Sequence, residues 1–229
     1  MKNVFLFIAI STFTFNLSIA QNKAEVKLGV WNLYYGTNRI SDKLSIYTEL
    51  QYNLYEFESN YQQFWGIVGL NYHLAENAMA TLGYGYFDSD VTFENIDNEK
   101  HPTENRIFEQ FTYHVFLGKF KIQNRYRLEH RFLQTPVENI TKHRARGRLQ
   151  VNYPISEKWF LSMLDEVFVN LQEPIFDQNR WYTSVGYKFT NNIKFEFGYL
   201  KLHFTGYNLD RLQFILNINT DWRKKENEK

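Results

Sequence analysis

Arginine residues recur at every second position in two neighbouring stretches of this sequence, residues 119–133 and 140–153. The charged residues that share one parity are Arg125, Arg127, Glu129, Arg131, Arg144, Arg146 and Arg148. A guanidinium group presents a planar set of N–H donors that matches phosphate and carboxylate oxygens. Six arginines beside one glutamate therefore predict either a network of ion pairs or a binding site for small anions.

The two stretches are predicted to pair as antiparallel strands. The predicted register places three pairs opposite each other: Arg131 and Arg144, Glu129 and Arg146, and Arg127 and Arg148. Like charges at this spacing need counter-charges where the dielectric constant is low, and Glu49, Glu166 and Glu196 are the candidates from other strands. A structural ion-pair network is the favoured hypothesis, and an anion-selective lumen or anion-binding site is the alternative.

The spacing of the histidines gives little support to catalytic chemistry. They are His73, His101, His114, His130, His143 and His203, and none has a Ser two positions away on the same strand. That spacing would let an imidazole deprotonate a hydroxyl, as in barrel enzymes that act on envelope lipids. A triad divided between strands is a weaker alternative. The H-E-x-x-H spacing of zinc proteases is absent and the chain has no Cys, so we predict no catalytic residue, metal site or cofactor.

The elements that must position these side chains are β-strands. Period-two alternation of polar and apolar residues puts the two kinds of side chain on opposite faces of a strand. The alternation here continues for longer than the five or six residues of an average strand. A strand needs about nine to eleven residues to cross a bilayer at a tilt. The pattern therefore predicts strands that span a membrane.

The first 20 residues are predicted to be a secretory signal peptide. Lys2 supplies the charged start, residues 4–15 the apolar body, and residues 18–20 a small-x-small cleavage site. The mature chain is expected to begin near Gln21 and to form one domain to residue 229. Lys and Arg number 26 and Asp and Glu number 25, so the chain has no basic surplus of the kind that nucleic-acid binding requires.

The composition is also typical of an outer-membrane barrel. Aromatic residues make up 18% of the chain, Pro is only 4, and Cys is absent. Aromatic girdles lie at both interfaces of such barrels. We therefore predict an all-β fold, an antiparallel transmembrane up-and-down β-barrel, located in the outer membrane and in contact with its lipid.

Eleven strand-like segments follow one another along the mature chain. Bacterial outer-membrane barrels usually have an even number of strands, so the prediction is about ten to twelve. The ten-strand alternative takes its wall from residues 43–222 and leaves Val26–Asn38 at the periplasmic mouth or in the lumen. Residues 223–229 are predicted to be a solvated charged tail.

The connections and two local irregularities carry further predictions. Short turns near residues 41, 76, 118, 157 and 191 alternate with longer loops near residues 59, 96, 137, 174 and 206. Short turns are periplasmic in such barrels. The adjacent Asp165 and Glu166 predict a bulge or a rim position. Gly83 and Gly85, inside one strand, predict a close approach of other groups to the backbone or a bend.

Several motifs make the chain similar to the bacterial domain-of-unknown-function family 2490. They are Gly29-Val30-Trp31-Asn32, Leu-Asn-Tyr-His-Leu (70–74), Gly-Tyr-Gly-Tyr (83–86), the strand at 124–132, Arg-Leu-Gln-Val-Asn-Tyr-Pro-Ile (148–155) and Asp-Arg-Leu-Gln-Phe (210–214). The strongest is the R-x-R-x-E-x-R strand at Arg125, Arg127, Glu129 and Arg131. The resemblance implies a Gram-negative outer-membrane barrel and brings no known activity.

Four functional hypotheses remain open at this point. The first is a structural barrel with a salt-bridged lumen, and the second is a narrow anion-selective pore or passive transporter. An enzyme acting on envelope lipids is the weakest. A periplasmic soluble β-protein that binds a lipid is the alternative outside the membrane. The sequence does not determine the transported solute or the oligomeric state.

Overall fold

A computed structural model describes residues 24–94 and 100–223. The predicted signal peptide (residues 1–20) and residues 224–229 of the predicted tail lie outside the described residues. The described residues form eleven strands: β1 (Leu28–Arg39), β2 (Leu44–Leu54), β3 (Tyr61–Ala75), β4 (Ala78–Ser89), β5 (Thr103–Leu117), β6 (Phe120–Gln134), β7 (Asn139–Pro154), β8 (Trp159–Asn170), β9 (Phe176–Lys188), β10 (Ile193–Phe204) and β11 (Tyr207–Asp221). No helix among the described residues is long and apolar enough to cross a membrane.

The strands close into one barrel in sequence order, which confirms the predicted fold class. Each strand pairs antiparallel with the next, but β1 and β11 pair in parallel, from Leu28 beside Asp210 to Arg39 beside Asp221. The ten-strand alternative is therefore wrong, because Leu28–Arg39 is part of the wall. A barrel with an odd number of strands can close when its first and last strands pair in parallel. Every strand then has a hydrogen-bonded neighbour on both sides, and no free edge remains.

The alternation of each strand places apolar side chains on the outside of the barrel and polar ones inside. On β3, Val68 and Leu70 are 51% and 49% exposed, while Asn71, the residue after Leu70, is 1% exposed. A soluble protein buries its apolar side chains and exposes its polar ones. The described barrel has the reverse arrangement over most of its circumference.

Two apolar clusters interrupt the polar interior. One includes Trp31 and Leu33 of β1 together with side chains of β9, β10 and β11. The other joins Trp65 and Ile67 of β3 to Phe87 and Phe108. Trp31 and Leu33 point inward and Asn32 points outward, so β1 has the opposite pattern from most strands. This inversion brings large apolar side chains of β1 into the interior of the barrel.

The connections at the two ends of the barrel differ less than predicted. The short-turn end carries residues 40–43, 76–77, 118–119, 155–158 and 189–192. The opposite end carries the longest connection, between Ser89 and Thr103, but it also carries a turn of only two residues, 205–206. The prediction of a longer loop near 206 is therefore wrong. Gly206 has a φ of 91° there, a conformation that glycine adopts without a steric penalty.

The predicted bulge at Asp165 and Glu166 is absent. Both residues keep a continuous register with β7 and with β9, and the irregularity of β8 lies between Phe168 and Val169. Glu166 points into the barrel, while Asp165 points outward and accepts a hydrogen bond from Asn179 Nδ2 at 2.6 Å. An outward partner makes a bulge unnecessary, because it satisfies the carboxylate.

The glycines of β4 confirm the predicted close approach. The ring of Phe108 on β5 lies against Gly83, so a Cβ added there would collide with the ring. Ile67 and Phe87 pack beside Gly85 in the same way. The missing side chains make room for the interior aromatic cluster.

Candidate anion-binding lumen

The arginine strands are β6 and β7, and their register differs from the predicted one by two residues. Glu129 faces Arg144, Arg127 faces Arg146, and Arg125 faces Arg148. Arg131 faces Lys142. A shift of two residues preserves parity, so the predicted face is confirmed although the predicted pairs are wrong. The loop at residues 135–138 sets the register, since it brings Gln134 beside Asn139.

Glu129 is the centre of the ion-paired layer and is 0% exposed. Arg144 Nη2 and Arg146 Nη1 each lie 2.7 Å from its carboxylate oxygens. Arg106 Nη1 lies at 3.2 Å and Arg127 Nη1 at 3.8 Å. Four guanidinium groups thus surround one carboxylate, which satisfies its acceptor sites and holds β5, β6 and β7 together.

Glu166 on β8 is the second shared carboxylate. Arg125 Nη2 lies 2.6 Å from its Oε1, and Arg146 Nη2 lies 2.9 Å from the same oxygen. Arg146 therefore bridges Glu129 and Glu166 and links β6, β7 and β8. Glu166 confirms one of the three carboxylates that the sequence analysis proposed as counter-charges.

The other two proposed counter-charges do not pair with arginine. Glu49 accepts hydrogen bonds from Trp65 Nε1 at 2.9 Å and from the Tyr47 hydroxyl. Glu196 accepts one from Ser184 Oγ at 3.1 Å. Neither has an arginine nitrogen within ion-pair distance among the described residues, so neither forms a direct ion pair with the arginine strands. Both carboxylates are inside the barrel as expected, but on walls away from β6 and β7.

Sequence reasoning missed three members of the layer. Arg106 and Glu104 lie on β5, where Arg106 Nε is 2.7 Å from Glu104 Oε1 and Arg131 Nη2 is 2.8 Å from Glu104 Oε2. Asp177 on β9 forms an ion pair with Arg144 Nη1 at 2.6 Å. Isolated charges on neighbouring strands give no local motif. Their inward parity was the only signal that could have found Glu104 and Arg106.

Aromatic rings pack against the guanidinium groups of several arginines. The guanidinium carbon of Arg106 lies 3.7 Å from the ring centroid of Phe87, and that of Arg127 lies 4.1 Å from the centroid of Phe108. Cation–π contacts at such distances are favourable and stronger where water is excluded. The rings thus fix the planes of guanidinium groups whose N–H donors lie within the layer.

Three arginines that face the lumen keep N–H groups that donate to no acceptor in the described part of the chain. These nitrogens are Arg125 Nε, Arg127 Nη2 and Arg148 Nε. Arg148 faces Glu166 across β7 and β8, yet it donates from Nη2 to Gln123 Oε1 at 2.6 Å. A buried donor without an acceptor costs about 1–3 kcal/mol. The three arginines therefore form a buried cationic cluster in which some N–H groups have no acceptor among the described residues.

The same three arginines line a cavity of about 1100 Å³ within the lumen. Among the described residues that line it, twelve are Lys or Arg and five are Asp or Glu. Lys121, Lys188 and Lys194 lie toward the short-turn end, and none has a described carboxylate within ion-pair distance. The cavity therefore has a net positive wall, with the three lysines toward one end.

A Ser–His contact also lies inside the barrel, between two strands. Ser45 Oγ on β2 is 2.9 Å from His73 Nε2 on β3, and it accepts a hydrogen bond from Asn71 Nδ2 at 3.0 Å. Ser45 is fully buried, and no described carboxylate pairs with His73. The pair belongs to a buried network with Thr81, which donates to Asn71. That the chain is not an enzyme stays a prediction.

The fold and its interior define a class: a closed, mostly antiparallel β-barrel with an apolar outer face and an ion-paired lumen. A sequence family described as "Protein of unknown function (DUF2490)" matches residues 28–213. The chain belongs to this family, as its motifs predicted. No curated protein and no solved structure matched the chain.

Proposed function

We propose that this protein is an outer-membrane β-barrel whose ion-paired layer holds the wall in register. The observation that carries the proposal is the inverted barrel, with aliphatic and aromatic side chains outside and buried charges inside. In water, an apolar outer face of this size would cause the protein to associate with other apolar surfaces. In a membrane, lipid would cover this face. A closed barrel leaves no strand edge unpaired, as a membrane requires.

Polar side chains on the outer face support the same proposal, since they pair with each other. His130 Nδ1 lies 2.8 Å from His143 Nδ1, and His130 Nε2 lies 3.3 Å from Glu109 Oε2. The Asp165–Asn179 hydrogen bond is a second outward pair. Hydrogen bonding between these polar side chains lowers the free-energy cost of placing them against lipid.

Membrane fractionation and gel mobility test the membrane assignment. The protein is expected in the outer-membrane fraction, to resist extraction by high salt, and to be released by detergent. A barrel held by a closed strand ladder should migrate differently before and after boiling. Release by salt alone would contradict the proposal and favour a soluble periplasmic protein.

A second function, binding and passage of small anions, is favoured by the position of Arg125, Arg127 and Arg148 on the cavity wall and by the lack of a paired carboxylate at Arg148 among the described residues. The excess of cationic over anionic side chains around the cavity supports it as well. Cationic walls raise the local concentration of anions and repel cations. The anions that suit planar guanidinium groups are phosphates and carboxylates.

Reversal potential across a salt gradient tests this second function. Inserted wild-type barrels are expected to prefer anions, and the Arg148→Gln variant to prefer them less. Lys158→Gln is the matched control, because Lys158 lies in an exposed turn outside the lumen. Absence of conductance together with absence of phosphate or carboxylate binding would overturn the anion function and leave the structural barrel.

A further inference from the structure

We propose that the lumen ligand is an amphipathic anion, with a carboxylate or phosphate headgroup and a single hydrocarbon chain. The inference rests on the proposed anion function and adds the chemistry of the rest of the ligand. It is carried by a second observation. The cavity that Arg125, Arg127 and Arg148 line has an apolar wall on its opposite side.

The headgroup subsite is the cluster of Arg125, Arg127 and Arg148. Arg125 and Arg127 are 6% and 3% exposed, and all three line the cavity. Glu166 already accepts from Arg125, whereas the described contacts of Arg148 include no carboxylate. The cluster therefore has charge in excess of its counter-charges, and an anionic headgroup in the cavity would offset that excess.

The apolar wall is made by β1, β9, β10 and β11. Its cavity-lining residues are Trp31, Leu33, Tyr182, Leu200, Leu202 and Ile215. In the strand order β1 lies farthest around the ring from β6 and β7, so this wall faces the arginines across the lumen. A water-filled passage for small ions has no use for such a wall, because apolar side chains exclude water and bind hydrocarbon instead.

Arg180 marks the boundary between the two walls. Its guanidinium carbon lies 5.0 Å from the ring centroid of Trp31 and 4.6 Å from that of Phe168. Its Nε donates to Gln178 Oε1 at 3.1 Å, and no described carboxylate lies within ion-pair distance. The guanidinium group of Arg180 therefore lies where the anionic headgroup of the ligand would join its hydrocarbon chain.

Quenching of interior tryptophans by a brominated fatty acid tests the proposal. The chain has five Trp, of which Trp31 and Trp65 point into the lumen. The other three, Trp159, Trp181 and Trp222, are exposed and are replaced by Phe in every protein used. The barrel is placed in nanodiscs of zwitterionic lipid. Bromododecanoate is titrated and then displaced with dodecanoate, dodecanol, butanoate or inorganic phosphate.

Dodecanoate is expected to displace the probe at lower concentration than every other competitor. Removing eight methylenes should weaken butanoate well beyond tenfold, since each methylene contributes about fourfold in affinity when fully buried. Removing the charge should weaken dodecanol by about tenfold, as expected for the loss of charged hydrogen bonds.

Two variants separate the subsites. Arg148→Gln should reduce the preference for dodecanoate over dodecanol, with Lys158→Gln as its control. Leu200→Asn should reduce the preference for dodecanoate over butanoate. Its control is Leu171→Asn, in an exposed loop. Arg148 has no ion pair among the described residues, so its replacement is expected to leave the barrel folded.

The competitors also separate this proposal from the anion function on which it rests. If phosphate or butanoate competes as well as dodecanoate, the amphipathic ligand is overturned and a small-anion site remains. If dodecanol competes equally, the headgroup subsite is overturned. If the probe does not quench and no anion binds, both the proposal and the anion function fail.

Discussion

Arg125 and Arg148 face each other on β6 and β7, and only one of them reaches a carboxylate. Arg125 Nη2 pairs with Glu166, whereas Arg148 donates to Gln123. Two like charges opposite each other in a strand pair are unfavourable without a counter-charge. This pair separates the interior into an ion-paired layer around Glu129 and a region in which Arg148 pairs with no described carboxylate.

The first prediction compares two neighbouring arginines in that interior. Arg146→Gln should lower the free energy of unfolding by about 3–5 kcal/mol, because it leaves two buried carboxylates short of a shared partner. Arg148→Gln should change it by no more than about 1 kcal/mol. Urea unfolding of the refolded barrel in detergent micelles measures both. Equal losses for the two variants would show that the ion-paired layer does not centre on Glu129 and Glu166.

The second prediction concerns the outer face. Leu70→Lys on β3 should destabilise a bilayer-embedded barrel by about 2–4 kcal/mol, since it puts a charge among the lipid chains. Val137→Lys, in an exposed loop, is the matched control and should have little effect. Unfolding free energies in lipid vesicles are compared. A soluble barrel would tolerate both substitutions equally well.

The third prediction concerns closure of the barrel by a parallel pair. Thr37 on β1 lies beside Asn219 on β11, and the chain has no Cys of its own. The double variant Thr37→Cys/Asn219→Cys should form a disulfide on oxidation, because paired strands bring Cα atoms within the required range of about 4–7 Å.

A matched pair controls for nonspecific oxidation. Thr37→Cys/Ile215→Cys places the second thiol four residues away along β11, about 13 Å from the paired position. It should stay reduced in the folded barrel. Thiol titration and gel mobility under non-reducing conditions measure both variants. A bond in the control but not in the paired variant would rule out the register of β1 and β11.

The fourth prediction concerns the interior glycines. Gly83→Ala should cost about 1–3 kcal/mol, because its Cβ would collide with Phe108 and force the ring to move. Gly147→Ala should be close to neutral, since a Cβ there meets nothing within 4 Å. Adding Phe108→Leu to Gly83→Ala should recover part of the loss. No recovery in the unfolding free energy would show that the contact with Phe108 is not the cause.

Parity was enough to predict which residues lie inside the barrel along most strands, with β1 as the exception. Arg125, Glu129 and Arg146 point inward as their spacing required, because a strand alternates its side chains with period two. Length and alternation together also predicted the class of fold. Strand length and alternation are local properties, so they can be predicted from a single segment of the chain.

Partners across strands could not be predicted in the same way. The register of β6 and β7 differed by two residues from the predicted one, since any even shift keeps the same faces. Glu104, Arg106 and Asp177 joined the layer from strands whose own sequences show no motif. Glu49 and Glu196 matched the pattern equally well and bind uncharged donors instead.

Residue patterns within single segments were sufficient to predict a barrel of long strands with arginines inside. The parallel pairing of β1 with β11, and the position of Trp31 and Leu33 opposite the arginines, could be found only in the three-dimensional fold. The physical reason is that side-chain direction follows from each strand alone. The distance between two walls of a lumen depends instead on strand number, register and closure of the whole ring.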